Sequence, residues 1–307
     1  MKCFLSGIRV VPAVVAGFLL SVWVEVPAVA QPAGAVGAPT YRGIYLDEFT
    51  TILGNSPRED SVLQWCVGNG FNAISLYDLH KVMVRKTGQD SLARFIRKAR
   101  VDYGISQVAA VRGISRDFVQ MVQYDSSRTE PMERFTAYNL ENEWWNNGSE
   151  CNFDCYARIL ELMQQKARRG SPPRIREAYI GWFINPARQE AKQAGTLVRM
   201  LDRILVHAYR KVPEFEYLRE RFTYLGKEAQ KQNRTLDVIV LFSAEPEFMA
   251  DYYQVKGKNR TFEEAYRDMV SQFEKADFEG KRNIRLIGYQ LFAYSFARTA
   301  RPRIVAR

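Results

Sequence analysis

Residues 135–146 read FTAYNLENEWWN, an apolar and polar alternation that runs into two carboxylates and a pair of tryptophans. Successive side chains of a strand point to opposite faces. Tyr138 and Leu140 therefore suit a helix-covered outer face, and Asn139, Glu141 and Glu143 share the inner one. A strand that carries its acidic groups at its C-terminal end fits a parallel barrel, where that end faces the site.

The flanking sequence repeats this unit. Strands are expected at Arg42–Phe49, Asn72–Tyr77, Ser106–Val111, Phe135–Glu143, Glu177–Phe183, Ile204–Tyr209, Leu236–Ala244 and Ile284–Tyr294. Between them the hydrophobic period changes from two to about 3.6, the mark of covering helices. The first helix is punctuated clearly: Ser56 can cap it, Pro57 occupies its first turn, Glu59 completes a capping box, and Gly68 and Gly70 end it. Further helices are expected at Ser91–Tyr103, Arg116–Tyr124, Cys155–Arg168, Pro186–Leu201, Phe215–Gln232 and Phe262–Phe273. Eight strand–helix units imply parallel strands with right-handed crossovers. The fold class is thus α/β, a single (β/α)8 TIM barrel. An open doubly wound sheet is the main alternative, but no dinucleotide-type Gly-rich loop follows the first strand.

The 307 residues divide into three parts. Residues 1–30 read as a signal peptide: Lys2 and Arg9 give a basic start, Val10–Val24 is apolar, and Ala28-Val29-Ala30 has the small-x-small form of a cleavage site. A retained membrane anchor is the competing reading; the apolar run is shorter than the roughly 20 residues a bilayer requires. Residues 31–40 are a Pro/Gly/Ala-rich stretch read as a disordered linker, and 41–307 form the barrel domain. The expected location is outside the cytoplasm, periplasmic or extracellular, with no stable membrane insertion after cleavage. The formal charge of +10 becomes +9 once two positive leader residues and one negative one are removed. Lys and Arg are scattered along helices without a dense tract, which favours a solvated shell over nucleic-acid binding.

Cys151 and Cys155 lie four residues apart at a helix start, a spacing within disulfide range, and export makes the bridge plausible. Cys66 lies on an apolar helix face and reads as a small buried hydrophobe. With only His80 and His207, and neither CxxC nor HExxH, a multi-histidine metal site is not expected, and no metal or organic cofactor is called for.

Candidate chemistry comes from the strand ends. Strand one contributes Tyr45 and Asp47, strand two Tyr77 and Asp78, and strand four Asn139, Glu141, Glu143 and Trp144. Strand six contributes Tyr209, strand seven Glu245 and Glu247, and strand eight Gln290. Two carboxylates two residues apart on a strand have Cα atoms ~6.6 Å apart. In a partly dry mouth they repel, so one keeps its proton toward neutral pH. A protonated carboxylic acid is what cleavage of a glycosidic bond requires at the leaving oxygen. Tryptophan and tyrosine rings supply flat faces for sugars. A single strand-end carboxylate more often caps a helix or pairs with an arginine; it is the gathering of several that points to a site.

The segment Phe135 to Glu143 resembles the fourth-strand signature D-x-x-D-x-D-x-E of chitinase-like, family 18 glycoside hydrolases. The resemblance implies Glu143 as catalytic acid, Glu141 at the neighbouring Asp that orients the substrate's acetamido group, and Asn139 at the middle Asp. Tyr209 is similar to that family's strand-six tyrosine. Thr136 replaces the first Asp, so only Glu143 matches strictly. Asn142-Glu143 and Glu245 or Glu247 also resemble the retaining glycosidases of the clan that includes β-galactosidases and cellulases. That resemblance implies Glu143 as acid/base and a strand-seven glutamate as nucleophile, with carboxyls ~5–5.5 Å apart. Both imply a secreted glycoside hydrolase acting on a poly- or oligosaccharide. A non-catalytic, lectin-like barrel and an unrelated barrel activity stay open.

Overall fold

Eight parallel strands pair in chain order, and the eighth returns to the first to close a barrel. The computed structural model describes residues 38–146, 149–169, 172–183, 189–254 and 260–300. The expected signal peptide, most of the linker and the last seven residues lie outside the described residues. The strands are β1 (Tyr41–Leu46), β2 (Ala73–Leu76), β3 (Gln107–Arg112), β4 (Ala137–Leu140), β5 (Ile175–Ile180), β6 (Arg203–His207), β7 (Leu236–Ser243) and β8 (Ile284–Phe292). Closure comes from the pairing of Tyr41 with Gly288 and of Ile44 with Leu291. β7 and β8 slip register at Val238/Ile239.

Seven of the eight strands are shorter than the sequence implies. β4 ends at Leu140, three residues before Glu143, because its last ladder partners are Arg112 of β3 and Ala178 of β5. Glu141 adds one more bond, its N–H donating to the Arg112 carbonyl at 2.9 Å, before the chain turns away. Likewise β1 stops at Leu46, and Phe49, expected to end the strand, instead opens a helical turn over Phe49–Ile52. Both carboxylates of the fourth unit are therefore loop residues.

The covering helices form where apolar periodicity placed them, with adjusted ends. The first spans Ser56–Gly68, but its cap is Asn55, whose Oδ1 accepts the Arg58 N–H at 3.2 Å. Glu59 reaches back past the cap to the Gly54 N–H and also pairs with Lys98 at 3.0 Å. The third runs over Ser115–Ser127. The helix after β4 spans Phe153–Arg168, capped by Asn152. A Cys151–Cys155 disulfide closes its start, with Cα atoms 5.3 Å apart. The helix after β5 is seen from Glu190 to Met200, and residues 184–188 lie outside the described residues. Among the described residues no helix is long and apolar enough to cross a membrane.

The barrel interior has a polar floor. Glu177 of β5 accepts from Asn139 Nδ2 at 2.8 Å and from Arg203 Nε at 2.5 Å, and Arg203 also donates to Gln107 at 2.7 Å. The same guanidinium lies 4.5 Å from the centre of the Tyr41 ring. Tyr41 donates to Gln290 at 2.6 Å, and Gln290 donates to Ser75 at 3.1 Å. Gly43 makes room for this: a Cβ there would fall 1.9 Å from Gln290 Oε1. Outside the barrel, Tyr138 and Arg174 both donate to Asp125 at 2.8 Å, fastening β4 to its covering helices.

Candidate active site

Above that floor, at the C-terminal ends of the strands, lies a cavity of about 190 Å³. Three carboxylates reach it: Glu141 and Glu143 from the loop after β4, and Glu245 from the loop after β7. Its walls are Tyr45 of β1, Tyr77 after β2, Tyr179 of β5 and Tyr209 after β6, with Leu241 and Phe292 from β7 and β8. Two strands, β5 and β6, separate β4 from β7 on the shorter way round a ring of eight, so the two acidic groups approach from different sides.

Each carboxylate is held differently. Glu141 is drawn inward, and the Tyr77 hydroxyl donates to its Oε2. Burial pushes its pKa up to about 7; the Tyr77 bond opposes this, and the Glu143 charge adds to the rise. Close spacing of the two glutamates pointed to one of them holding its proton toward neutral pH; the upward shift falls on Glu141, with loss of hydration outweighing repulsion as its cause. Glu143 stands more exposed at the lip, accepting from Tyr179 at 3.1 Å and from the Asn146 amide. Tyr179 is itself braced edge-on by Trp145, with ring centres 5.2 Å apart. A Cβ at residue 181 would fall 2.6 Å from the Trp145 indole, so Gly181 is what allows this packing. Glu245 accepts the Ser243 hydroxyl at 2.7 Å; burial raises its pKa, and the Ser243 bond opposes the rise. Among the described residues, no lysine or arginine pairs with any of the three.

The expected site residues thus separate into two groups. Glu141, Glu143, Glu245, Tyr45, Tyr77 and Tyr209 meet in the cavity. Asn139 faces inward as the alternation requires but lies a layer below, bound to Glu177, and Gln290 belongs to the same floor. Trp144 is not at the mouth: it is 1% exposed and wedged edge-on against Phe153, because the chain turns away after β4 and needs an apolar filler against the next helix. Asp47 turns aside to bind the Ser295 N–H and hydroxyl. Asp78 adopts a left-handed conformation, φ 56°, and pairs with Lys81 at 2.6 Å. Glu247 is exposed and outside the cavity lining.

Tyr179 and Phe292 were not expected. Period two from Glu177 marks Tyr179 as inward, but a search for polar strand ends passes over both residues. His207, behind Tyr209, has its pKa lowered to about 3 by burial and by Arg221, so it is neutral across the physiological range. Among the described residues no group of His, Cys, Asp and Glu is arranged to hold a metal ion.

No protein-family model matches the chain, and no curated protein matches its sequence. Solved structures match its fold. An alanine variant of GH5_18 from Streptomyces cattleya, in complex with Manβ1-4GlcNAc, is 12% identical, with 83% of this chain and 71% of that one covered and a TM-score of 0.55. A GH128 (subgroup I) endo-beta-1,3-glucanase from Amycolatopsis mediterranei in complex with laminaritriose is 9% identical over 87% and 92% of the two chains, TM-score 0.44. A 2,3-dimethylmalate lyase is 9% identical over 85% and 77%, TM-score 0.46. At such identities the likeness is one of fold, and one fold hosts many chemistries. The class so defined is a (β/α)8 barrel with a tyrosine-walled, three-carboxylate pocket at its C-terminal mouth.

Proposed function

We propose that this chain is an exported glycoside hydrolase whose pocket cleaves a saccharide with Glu143 as general acid/base. The observation that carries the reading is the meeting of Glu141, Glu143 and Glu245 in one small cavity without a cationic partner. Carboxylates kept for stability are normally paired, whereas acid/base work needs them unpaired and shielded. A cavity of about 190 Å³ is below the roughly 300–1,000 Å³ of sites for larger ligands, which suits one sugar ring rather than a buried chain. The glycoside hydrolases among the fold neighbours support the reading by analogy.

In the mechanism so proposed, Glu143 gives its proton to the glycosidic oxygen as the C–O bond breaks. The Glu245 carboxylate bonds to the anomeric carbon. Water then displaces Glu245, its proton returning to Glu143. Tyr179 and Asn146 orient Glu143, and the Ser243 bond favours the charged form of Glu245 against the effect of burial. Glu141, neutral below about pH 7, offers an O–H to a sugar substituent instead of a second negative charge. The place of Glu141 beside Glu143 in the same cavity favours a second reading, in which a 2-acetamido oxygen of the substrate attacks the anomeric carbon and Glu141, once ionised, accepts the acetamido N–H.

Glu143→Gln should lower kcat about 10²- to 10⁴-fold on an aryl glycoside that the wild type cleaves. Equal rates for the two proteins would sink the acid role. Glu245→Ala separates the two mechanisms: loss of turnover with rescue by azide marks a carboxylate nucleophile. Retained turnover confined to 2-acetamido sugars marks substrate assistance. Tight saccharide binding without turnover at any pH would identify a lectin-like barrel instead.

A further inference from the structure

Among the described residues, the largest aromatic surface left in water lies just outside the pocket. Trp182, two residues past the end of β5, is 40% exposed, while Trp144 and Trp145 are buried and Trp65 is packed among Phe71, Phe262 and Tyr294. An isolated exposed apolar side chain needs no explanation, but this one is fixed in place. The Arg221 guanidinium covers its ring at 4.3 Å from the centre, and Tyr217 meets it edge-on at 5.0 Å. Arg221 is itself immobile: it is 1% exposed and donates to the carbonyls of Gly181, His207 and Tyr217 at 2.6–2.7 Å. Those three carbonyls belong to the end of β5, the end of β6 and the helix Glu216–Lys231. One buried cation therefore pins an indole to the barrel rim.

The rim is continuous with the pocket. His207 lies 4.0 Å from Tyr209 and 6.0 Å from Tyr179, both pocket walls, and 6.2 Å from Tyr217, which in turn meets Trp182. Rings thus run from the pocket wall outward across the ends of β5 and β6. His207 is neutral, and the cations against these rings are Arg221, beneath the indole, and Arg210, over Tyr217. A flat, rigid aromatic face suits the apolar face of a pyranose ring, and holding it in place beforehand reduces the entropy lost on binding.

We propose that Trp182 is a stacking platform for a second sugar ring, the neighbour of the one held in the pocket, so that the substrate is an oligosaccharide leaving the pocket over β5 and β6. This inference rests on the saccharide reading of the pocket. It commits the site to chains of at least two rings, with the first enclosed and the second stacked on an open surface.

The test compares chain lengths. The probes are β-linked di- to tetrasaccharides of glucose, mannose and N-acetylglucosamine, set against the aryl glycosides of the single sugars. Wild type should favour the longer substrates, and Trp182→Ala should reduce that preference about tenfold, mainly through KM, with Trp182→Phe restoring part of it. Equal losses on long and short substrates, or an undiminished preference in Trp182→Ala, would overturn the platform and leave the hydrolase reading standing. Acrylamide quenching of tryptophan fluorescence gives a readout independent of turnover. Tetrasaccharide should protect the exposed indole in wild type, and the Trp182→Ala protein should lack the protectable component. If no substrate is cleaved, the hydrolase reading fails, and protection or its absence alone decides the platform.

Discussion

Glu177 on the barrel floor and Glu141 at its mouth are both withdrawn from water, yet they have opposite partners. Glu177 lies against the Arg203 guanidinium and an asparagine amide, both of which donate to its carboxylate. Glu141 meets a phenol and, nearby, another carboxylate. The floor neutralises its buried charge, whereas the mouth leaves its own unneutralised and lets the pKa rise instead. A charge removed from water must be paired or give way to the neutral form. The fold uses the first solution where it needs rigidity, and the second where protons would move.

Three perturbations sharpen this contrast. The largest effect is expected at the floor. Arg203→Met leaves Glu177 buried without its cation and should lower unfolding free energy by about 3–5 kcal/mol, read as a drop in Tm. The double variant Arg203→Met/Glu177→Leu should recover most of it. A single variant as stable as wild type would show that the pair is not what holds the floor together.

At the mouth the same kind of deletion should have the opposite sign. The folded-state pKa of Glu141, about 7, lies above its ordinary 4.5. The stability linked to its protonated form is therefore fully present below about pH 4.5 and is lost as pH rises through 7. Glu141→Gln should gain stability over wild type between pH 5 and 8, by on the order of 2 kcal/mol at the upper end. It should also remove a limb of the pH–rate profile near pH 7. A Tm difference independent of pH would contradict the unneutralised mouth.

The smallest effect isolates the phenol. Tyr77→Phe deletes a bond that favours ionised Glu141, so the alkaline limb should move to higher pH at a stability change of about 1 kcal/mol. A shift to lower pH would mean that Tyr77 stabilises the neutral acid.

Much of this was legible in the chain. The β4 alternation turned Asn139 inward, Glu141 and Glu143 reach the cavity from the loop that continues it, and the eight strand–helix units closed as a barrel. Depth was not legible. Asn139 and Glu141 share a face two residues apart, yet one is bound into the floor and the other opens into the cavity. Trp144 and Trp145 stand next to the acids in sequence and are absorbed into packing, while Trp182, with no acidic neighbour to mark it, is left in water.

The sequence by itself determined the element types, their order and, within the strands proper, which residues face inward, because those follow from period and local sterics along a single segment. Only the tertiary structure decided which acids are paired. Arg203 reaches Glu177 from the next strand, and Tyr77 reaches Glu141 from two strands away, across 64 residues of chain. Electrostatic environment is set by neighbours in space. The stretch FTAYNLENEWWN could therefore present its carboxylates but could not say whether either would find a cation.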